Sequence, residues 1–468
     1  MSVIFTTCFF DISTDFTKDK PPDVCFNHFN SLAKTGIRIH LFLSPCFREL
    51  YQRICGDLAN VQVEYIDKDT LLTFKEISDL QPRLPSERTE HHDTRPFLTT
   101  MNAKAELVYR TMQLYPLVHT FAWIDFSIFH VIRRPETSTY LTMISQLRLK
   151  DGLHMPGCWG RQEISFDRVH WRFCGGFFLG SRKEIEHLYT LYRSEFRQLV
   201  QTQGLSWEVN VWAYFEQRGL SVNWYHAGHD DTIVRIPSDR FYVVASLTSI
   251  PSRKESLKLA IDSLLPQVDE VIVCIPHAYK RFNTPWSKPD YMDSPEYAKV
   301  RVTRTDDIGP GTKFLGGIGT GSWVFVCDDD QQYHPSLIER MVKSLTTMSV
   351  YQNHFESILG KTSGGCIHGY VGLLIPSPLL QNLRLFPLPP PAYFVDDQWM
   401  SIYCLTQGIP ILSSGVNEYK DIYKVLDGWH ELIGVDALSQ LNTRDDRVRE
   451  LEEFFQVKWI KPFYVRNS

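Results

Sequence analysis

The sequence predicts an α/β protein of two tandem domains, each built on a Rossmann-like, mostly parallel sheet. The chain has 468 residues, more than a single hydrophobic core usually serves. A pattern of apolar strand, polar loop, helix and second strand opens at Val3 to Phe10 and continues to IRIHLFL at residues 37–43. After PSDR at 237–240 the pattern starts again, with Tyr242 to Leu247, a loop, a helix over Leu257 to Leu265, and EVIVCIP at 270–276. Strands of four to six apolar residues that alternate with helices belong to sheets covered on both faces. The expected domains are therefore 1–238 and 239–468.

Composition excludes several classes. Hydrophobic residues make up 43% and charged residues 22%, the balance of an ordinary globular protein rather than a disordered one. A net charge of -5 argues against a general nucleic-acid binder, which carries a basic face. No stretch reaches the ~18 apolar residues that a membrane span requires, and MSVIFTTCFFDI lacks the basic start of a signal peptide. A soluble, cytoplasmic protein is expected, in the host cytoplasm if the source is viral. The ten cysteines form no CxxC pair and sit in apolar runs such as WVFVCD, which fits buried, reduced thiols better than a zinc site.

Ligands in open α/β sheets bind at the carboxyl ends of the strands, so the residues that follow each strand carry the functional content. In the second half, WVFVCDDDQQYHPSLIERMVKSL places Asp328, Asp329 and Asp330 at a strand end. Pro335 suits the first turn of the helix that follows. Adjacent carboxylates repel unless a cation or solvent neutralises them. Mg²⁺ or Mn²⁺ is commonly held by one or two carboxylates plus substrate phosphates, and Asp328 and Asp330 are spaced to serve one diphosphate. The structural alternative is a solvated acidic turn with an aspartate capping the helix.

Other strand-end segments add candidates. Thr248, Ser249, Pro251 and Arg253 in LTSIPSRKES follow the opening strand, where a nucleotide would dock. RTDDIGPGTKFLGGI brings Asp307, glycines that let the backbone approach a ligand, and Lys313 as a point charge for a phosphate. Its spacing is not that of a P-loop. GGCIHGYVGLLIP reads as a glycine-eased strand, and FPLPPPAYF as a rigid loop. In YFVDDQWMSIYCLTQGI, Asp396 and Asp397 open a helix, where one carboxylate can take a proton from an acceptor hydroxyl and the other can cap the helix.

The first half ends a strand with Asp125 in HTFAWIDFSIFHVI, starts a helix at Glu208 in LSWEVNVWAYFEQRG, and gathers His226, His229, Asp230 and Asp231 in WYHAGHDDT. Taken singly, each of these residues is a turn or loop residue first.

As an ordered set, TSIPSR, DDIGPGTK, Asp328-Asp329-Asp330 and Asp396-Asp397 resemble the family-2-like inverting glycosyltransferases of the GT-A fold, over residues 241 to about 425. The resemblance implies a nucleotide-sugar donor, a glycan acceptor, and Mn²⁺ or Mg²⁺ held by Asp328 and Asp330. It turns Asp329 toward the sugar or ribose, and it implies a late aspartate as general base, best matched by Asp397. The family's late pair is usually Glu-Asp rather than Asp-Asp, which keeps Asp396 beside Asp397 as a candidate.

TTMNAKAELV, AWIDFSIFHV, GGFFLGS and SWEVNVWAYF, over about 95–230, resemble the HtrL/YibB-type glycosyltransferase family. That resemblance implies a GT-A-like first domain with Asp125 at the donor and metal position, Ser127 in place of the second acid, help from His226 or His229, and Glu208 facing the acceptor. The whole reads as two tandem GT-A-like domains, possessing one or two transferase activities. The rival classes are a sugar nucleotidyltransferase and a carbohydrate-binding or assembly protein.

Overall fold

The computed structural model describes residues 3–12, 20–352, 367, 369, 372–416, 423–425 and 444–457. The chain divides into two compact units, one of residues 1–146 and 150–237, the other of residues 147–149 and 238–468. The three residues Leu147–Leu149 belong to the second unit, where Leu149 forms an antiparallel bridge with Phe241.

In the first unit the strands are β1 (Ile4–Phe9), β2 (Ile39–Leu43), β3 (Val61–Tyr65), β4 (Thr120–Ile124), β5 (Leu153–Gly157), β6 (Phe177–Ser181) and β7 (Asn223–His226). They form one sheet in the order β3-β2-β1-β4-β6-β5-β7. Only β6 runs antiparallel to its neighbours. The second unit has β8 (Val243–Leu247), β9 (Glu270–Pro276), β10 (Val300–Thr305), β11 (Trp323–Val326), β12 (Gln331–Tyr333), β13 (Val350–Gln352), β14 (Leu373–Pro376), β15 (Ile411–Ser413) and β16 (Tyr423–Val425). Its main sheet runs β10-β9-β8-β11-β14-β13-β15, and β12 pairs with β16 apart from it. Again one strand, β14, is reversed. Strand for strand, the two sheets share order and direction.

Burial explains where each strand sits. IHLFL, VVASL and WVFV are buried at every position, as central strands covered on both faces must be. The partly exposed sequences VQVEY and VRVTRT lie at the edges; a charged or polar edge resists pairing with another chain. Helices pack on both faces. In the first unit Phe178 on β6 meets Trp212 edge-on, with ring centroids 5.4 Å apart. In the second, Val324 and Val326 share a core with Phe314 and Trp399.

Several local expectations shift. The helix after the first strand of the second unit begins earlier than predicted, at Lys254, and ends at Leu264. Pro335 lies outside its helix, which spans Leu337–Lys343, because β12 occupies the residues after the aspartates. Of the glycine-eased segment, β14 is described at Leu373–Pro376, and much of the remainder lies outside the described residues. The proline-rich loop contains a short 3-10 turn at Pro390–Tyr393 and is preceded by another at Leu383–Leu385. Among the described residues most cysteines are buried, with Cys46 exposed.

In both sheets the chain order reverses beside the opening strand, between β1 and β4 and between β8 and β11. That is where an open α/β sheet leaves a crevice at its carboxyl edge. Trp212 is fully buried, so Trp212→Ala should cost about 3–5 kcal/mol in a urea unfolding titration followed by circular dichroism. Leu117→Ala, at a side chain 95% exposed, should stay within about 0.5 kcal/mol; similar losses for both would contradict this packing.

Candidate active site

The second unit's crevice is organised around one ammonium group. Lys313 lies in the short helix Thr312–Leu315, directly after the turn Ile308-Gly309-Pro310-Gly311. Gly309 takes a φ of +69°, and a Cβ there would stand 2.3 Å from the Tyr393 carbonyl oxygen. Only glycine lets this turn seat Lys313. The lysine side chain is 3% exposed; its Nζ donates to Asp328 Oδ1 at 2.7 Å and pairs with Asp396 Oδ2 at 3.0 Å. Burial alone would pull its pKa down, yet Asp328, Asp396 and Asp397 outweigh burial and hold it well above its ordinary value. Lys313 thus remains charged and ties the acid after β11 to the acid that opens the helix Asp396–Thr406.

A second cation faces the remaining acids. Arg253, at the start of the helix after β8, donates to Asp329 Oδ1 at 2.8 Å and reaches Asp330 Oδ2 at 3.2 Å. The carboxyl of Asp330 is pushed up to about 7, by burial first and then by the charges of Asp328 and Asp329, with Arg253 opposing. Five carboxylates against two basic side chains leave this pocket short of positive charge.

The other expected residues fall around this centre in different roles. Asp397 accepts from the Gly369 backbone N–H at 3.0 Å. A Cβ on Gly369 would lie 2.7 Å from Asp397 Oδ1 and 2.9 Å from Lys313 Nζ, so glycine is required there by close approach. Asp307 accepts from the Lys280 N–H, the Gly309 N–H and the Tyr393 hydroxyl, which makes it the knot of the Gly309 turn. Ser249 accepts the Tyr279 hydroxyl on its carbonyl oxygen at 2.6 Å, and its own buried hydroxyl has no hydrogen-bond partner among the described residues. Thr248 and Pro251 are half-buried on the same loop.

The first unit repeats the centre with different residues. Lys104, 1% exposed, pairs with Glu208 Oε1 at 2.8 Å and Asp125 Oδ1 at 3.1 Å. It also donates to the Gly175 carbonyl at 2.9 Å. Burial would lower its pKa, but Asp125 and Glu208 hold it above the ordinary lysine value. Asp125 follows β4, as Asp328 follows β11, and Glu208 opens the helix Glu208–Gln217, as Asp396 opens its own. Gly175, just before β6, stands where a Cβ would meet Glu208 Oε1 at 2.1 Å. Both sheets therefore carry a buried lysine, a strand-end acid, a helix-opening acid and a close-packed glycine before the reversed strand.

Asp125, His226 and His229, expected to serve a metal in the first unit, have the following surroundings. Asp125 Oδ1 receives Trp123 Nε1 at 2.7 Å and the ammonium of Lys104. His226 and His229 are exposed. Asp231 accepts from the Arg133 and Arg134 N–H groups and the Thr137 hydroxyl, and so ties down the start of a neighbouring helix. Among the described residues no group of three or more His, Cys, Asp or Glu side chains is arranged to hold a metal. In the second unit this leaves one form of metal binding that the residues fit: an open site, with one or two of Asp328 and Asp330 as protein ligands and a substrate phosphate completing the shell. The charge deficit and the raised Asp330 carboxyl are what such a cation would relieve.

Sequence reasoning missed Lys104, Gly175 and Gly369. No local signal marked Lys104: its segment, NAKAELV, also holds Asn102 and Glu106, as an ordinary amphipathic helix would.

No family model matches the chain, and no curated protein does. Among solved structures, mouse xyloside xylosyltransferase 1 in its apo form is similar over 48% of this chain and 85% of its own, at 10% identity and a TM-score of 0.30. A glycosyltransferase involved in glycosylation of the major capsid of PBCV-1 is similar over 48% and 82%, at 11% identity and 0.24. The 4-diphosphocytidyl-2C-methyl-D-erythritol synthase of Anaerococcus prevotii gives 48% and 90%, at 10% identity and 0.27. Likenesses this distant carry no functional argument; the geometry of the two crevices has to.

Replacing Lys313 or Lys104 with methionine keeps the volume but strands two carboxylates, one buried and one half-buried. Each variant should lose about 3–5 kcal/mol in chemical denaturation, and adding Asp396→Asn to Lys313→Met should recover part of it. A loss under about 1 kcal/mol would remove the lysines from this central role.

Proposed function

We propose that the second unit is a glycosyltransferase, which moves a sugar from a nucleotide-sugar donor to a hydroxyl of a glycan acceptor. The observation that carries this reading is the buried Lys313, which holds the strand-end acid Asp328 and the helix-opening acid Asp396 at one crevice. A transferase needs a donor-diphosphate position and an acceptor base beside it, and the two ends of this bridge supply such neighbours.

The donor diphosphate docks at Asp328 and Asp330. Bound there, Mn²⁺ or Mg²⁺ would stabilise the charge that develops on the leaving diphosphate. Arg253 keeps Asp329 and Asp330 in place against their mutual repulsion, and the loop of Thr248 and Ser249 receives the nucleoside. Asp396 is committed to Lys313, so Asp397 is the residue that takes the proton from the acceptor hydroxyl. The Gly369 N–H orients its carboxylate. One base and one stabilised leaving group suffice for an inverting displacement.

The first unit, through Lys104, Asp125 and Glu208, is proposed as a second site of the same class, with Glu208 on the acceptor side. Two activities in one chain then act on successive acceptors.

With a nucleotide sugar and Mn²⁺, in a chain whose first site is silenced by Asp125→Asn and Glu208→Gln, adding Asp330→Ala should abolish turnover while the circular dichroism spectrum stays that of the parent. Full turnover in that variant would overturn the assignment. Asp397→Asn should lower kcat by about 10²–10⁴ with a much smaller change in KM; an unchanged kcat would move the base elsewhere. Product analysis should find nucleoside diphosphate, and pyrophosphate formed from a sugar phosphate would instead identify a nucleotidyltransferase.

A further inference from the structure

Two thiols of the first unit, unused in the scheme above, lie at the carboxyl edge of its sheet. Cys158 directly follows β5, and Cys174 stands shortly before β6, next to Gly175. Both are free, and their sulfurs are 3.6 Å apart. Cys158 is half-buried and Cys174 is buried. Backbone hydrogen bonds hold the two segments together on either flank of the pair. The Cys174 N–H donates to the Pro156 carbonyl at 2.8 Å, and the Cys158 N–H donates to the Trp171 carbonyl at 3.1 Å. A disulfide brings two sulfurs to about 2.05 Å, so closure asks for about 1.5 Å of movement.

The surroundings decide which segment gives. Arg172 is fixed by Glu216, whose two carboxylate oxygens accept from its Nε and Nη2 at 2.8 Å each, and its Nη1 donates to the Trp159 carbonyl at 3.3 Å. A Cβ on Gly157 would stand 1.8 Å from the Arg172 carbonyl oxygen, so the segments have no room to draw closer there. Cys158 is thus held from both sides, by the Trp171 carbonyl and by Arg172 through Trp159. Cys174 instead leads into two glycines that touch every member of the Lys104 centre. The Gly175 carbonyl accepts from Lys104 at 2.9 Å, and a Cβ on Gly175 would meet Glu208 Oε1 at 2.1 Å. The Gly176 carbonyl accepts the Asp125 N–H at 2.9 Å. A pull on the Cys174 sulfur therefore passes to the glycines, and any shift of Gly175 toward Glu208 finds no space.

We propose that Cys158 and Cys174 are a modification site, a reversible disulfide whose closure displaces Gly175 and Gly176 and so disturbs the Lys104 centre. The oxidant is a peroxide. Burial and then the neighbouring thiol hold the proton on Cys174, so the half-buried Cys158 meets the oxidant first. The peroxide O–O bond breaks as Cys158 becomes a sulfenic acid and water leaves. The Cys174 sulfur then attacks the Cys158 sulfur, its proton departs with the hydroxyl as a second water, and the S–S bond forms. A dithiol reductant returns both thiols by exchange. The bond stands independently of the transfer reading of this unit; its effect on activity rests on that reading.

The test treats the full chain with hydrogen peroxide and maps its peptides by mass spectrometry without reductant. A peptide pair joined through Cys158 and Cys174 is expected, absent after dithiothreitol and absent in Cys158→Ser. In the oxidised protein, hydrogen exchange in the peptide holding Asp125 should run about fivefold faster or more, as local opening allows, and return to the reduced rate with dithiothreitol. No such pair, linkage through the exposed Cys46 in its place, or unchanged exchange once the pair has formed would overturn the proposal. Turnover by this unit, read in a chain carrying Asp330→Ala, should fall on oxidation and recover on reduction. The transfer reading fails on a separate result, no turnover by that chain in its reduced form.

Discussion

A lysine ammonium buried among carboxylates is the constraint on which both units turn. Removing such a charge from water costs several kcal/mol, and only close ionic partners return it. Lys313 and Lys104 each have two such partners within about hydrogen-bond reach. The partners come from distant parts of the chain: a strand end on one side and a helix start on the other. Meeting that electrostatic demand therefore sets the strand, the preceding helix and the late helix in register at the carboxyl edge of the sheet. The close-packed glycines Gly175 and Gly369 belong to the same demand, since any side chain there would enter the space the ion pairs occupy.

This arrangement separates support from chemistry within a few residues. Asp396 holds the lysine while its neighbour Asp397 turns to a backbone N–H. Asp328 shares its carboxylate with the lysine, while Asp329 and Asp330 lean on Arg253. Adjacent acids that look equivalent in sequence thus differ in partners, burial and charge. The raised carboxyl of Asp330 follows from its burial and from the charges of Asp328 and Asp329, which Arg253 only partly offsets.

Much of this organisation was legible in the sequence because it is periodic or punctuated. Apolar runs of five residues found the central strands, and PSDR marked the restart. The aspartates at 328–330 and 396–397 stood out as runs of adjacent acids, whose mutual repulsion goes beyond what capping one helix requires. Less was legible where the meaning lay in long-range contact. Lys313 stood out only as a point charge for a phosphate, and Lys104 did not stand out, because nothing local records that each points into a carboxylate pair. Asp307 read as a donor-site residue; its hydrogen bonds from the Lys280 and Gly309 N–H groups and the Tyr393 hydroxyl were not legible. Pro335 was misplaced because β12 pairs with a strand about ninety residues later, a partner no local pattern announces.

The lysine bridges also govern how such a chain can drift. Total stability of a domain is about 5–15 kcal/mol, so a change that strands one member of a buried trio consumes a large fraction of it in a single step. Neutral wandering is thereby steered away from the bridges and toward the residues around them. Two copies of one architecture then diverge at the rim, as Ser127 with His28 and Asp330 with Arg253 illustrate, while the hub beneath stays the same. In such a protein a new substrate preference is reached by exchanging the groups that meet the ligand's charge, on a frame that tolerates little other change.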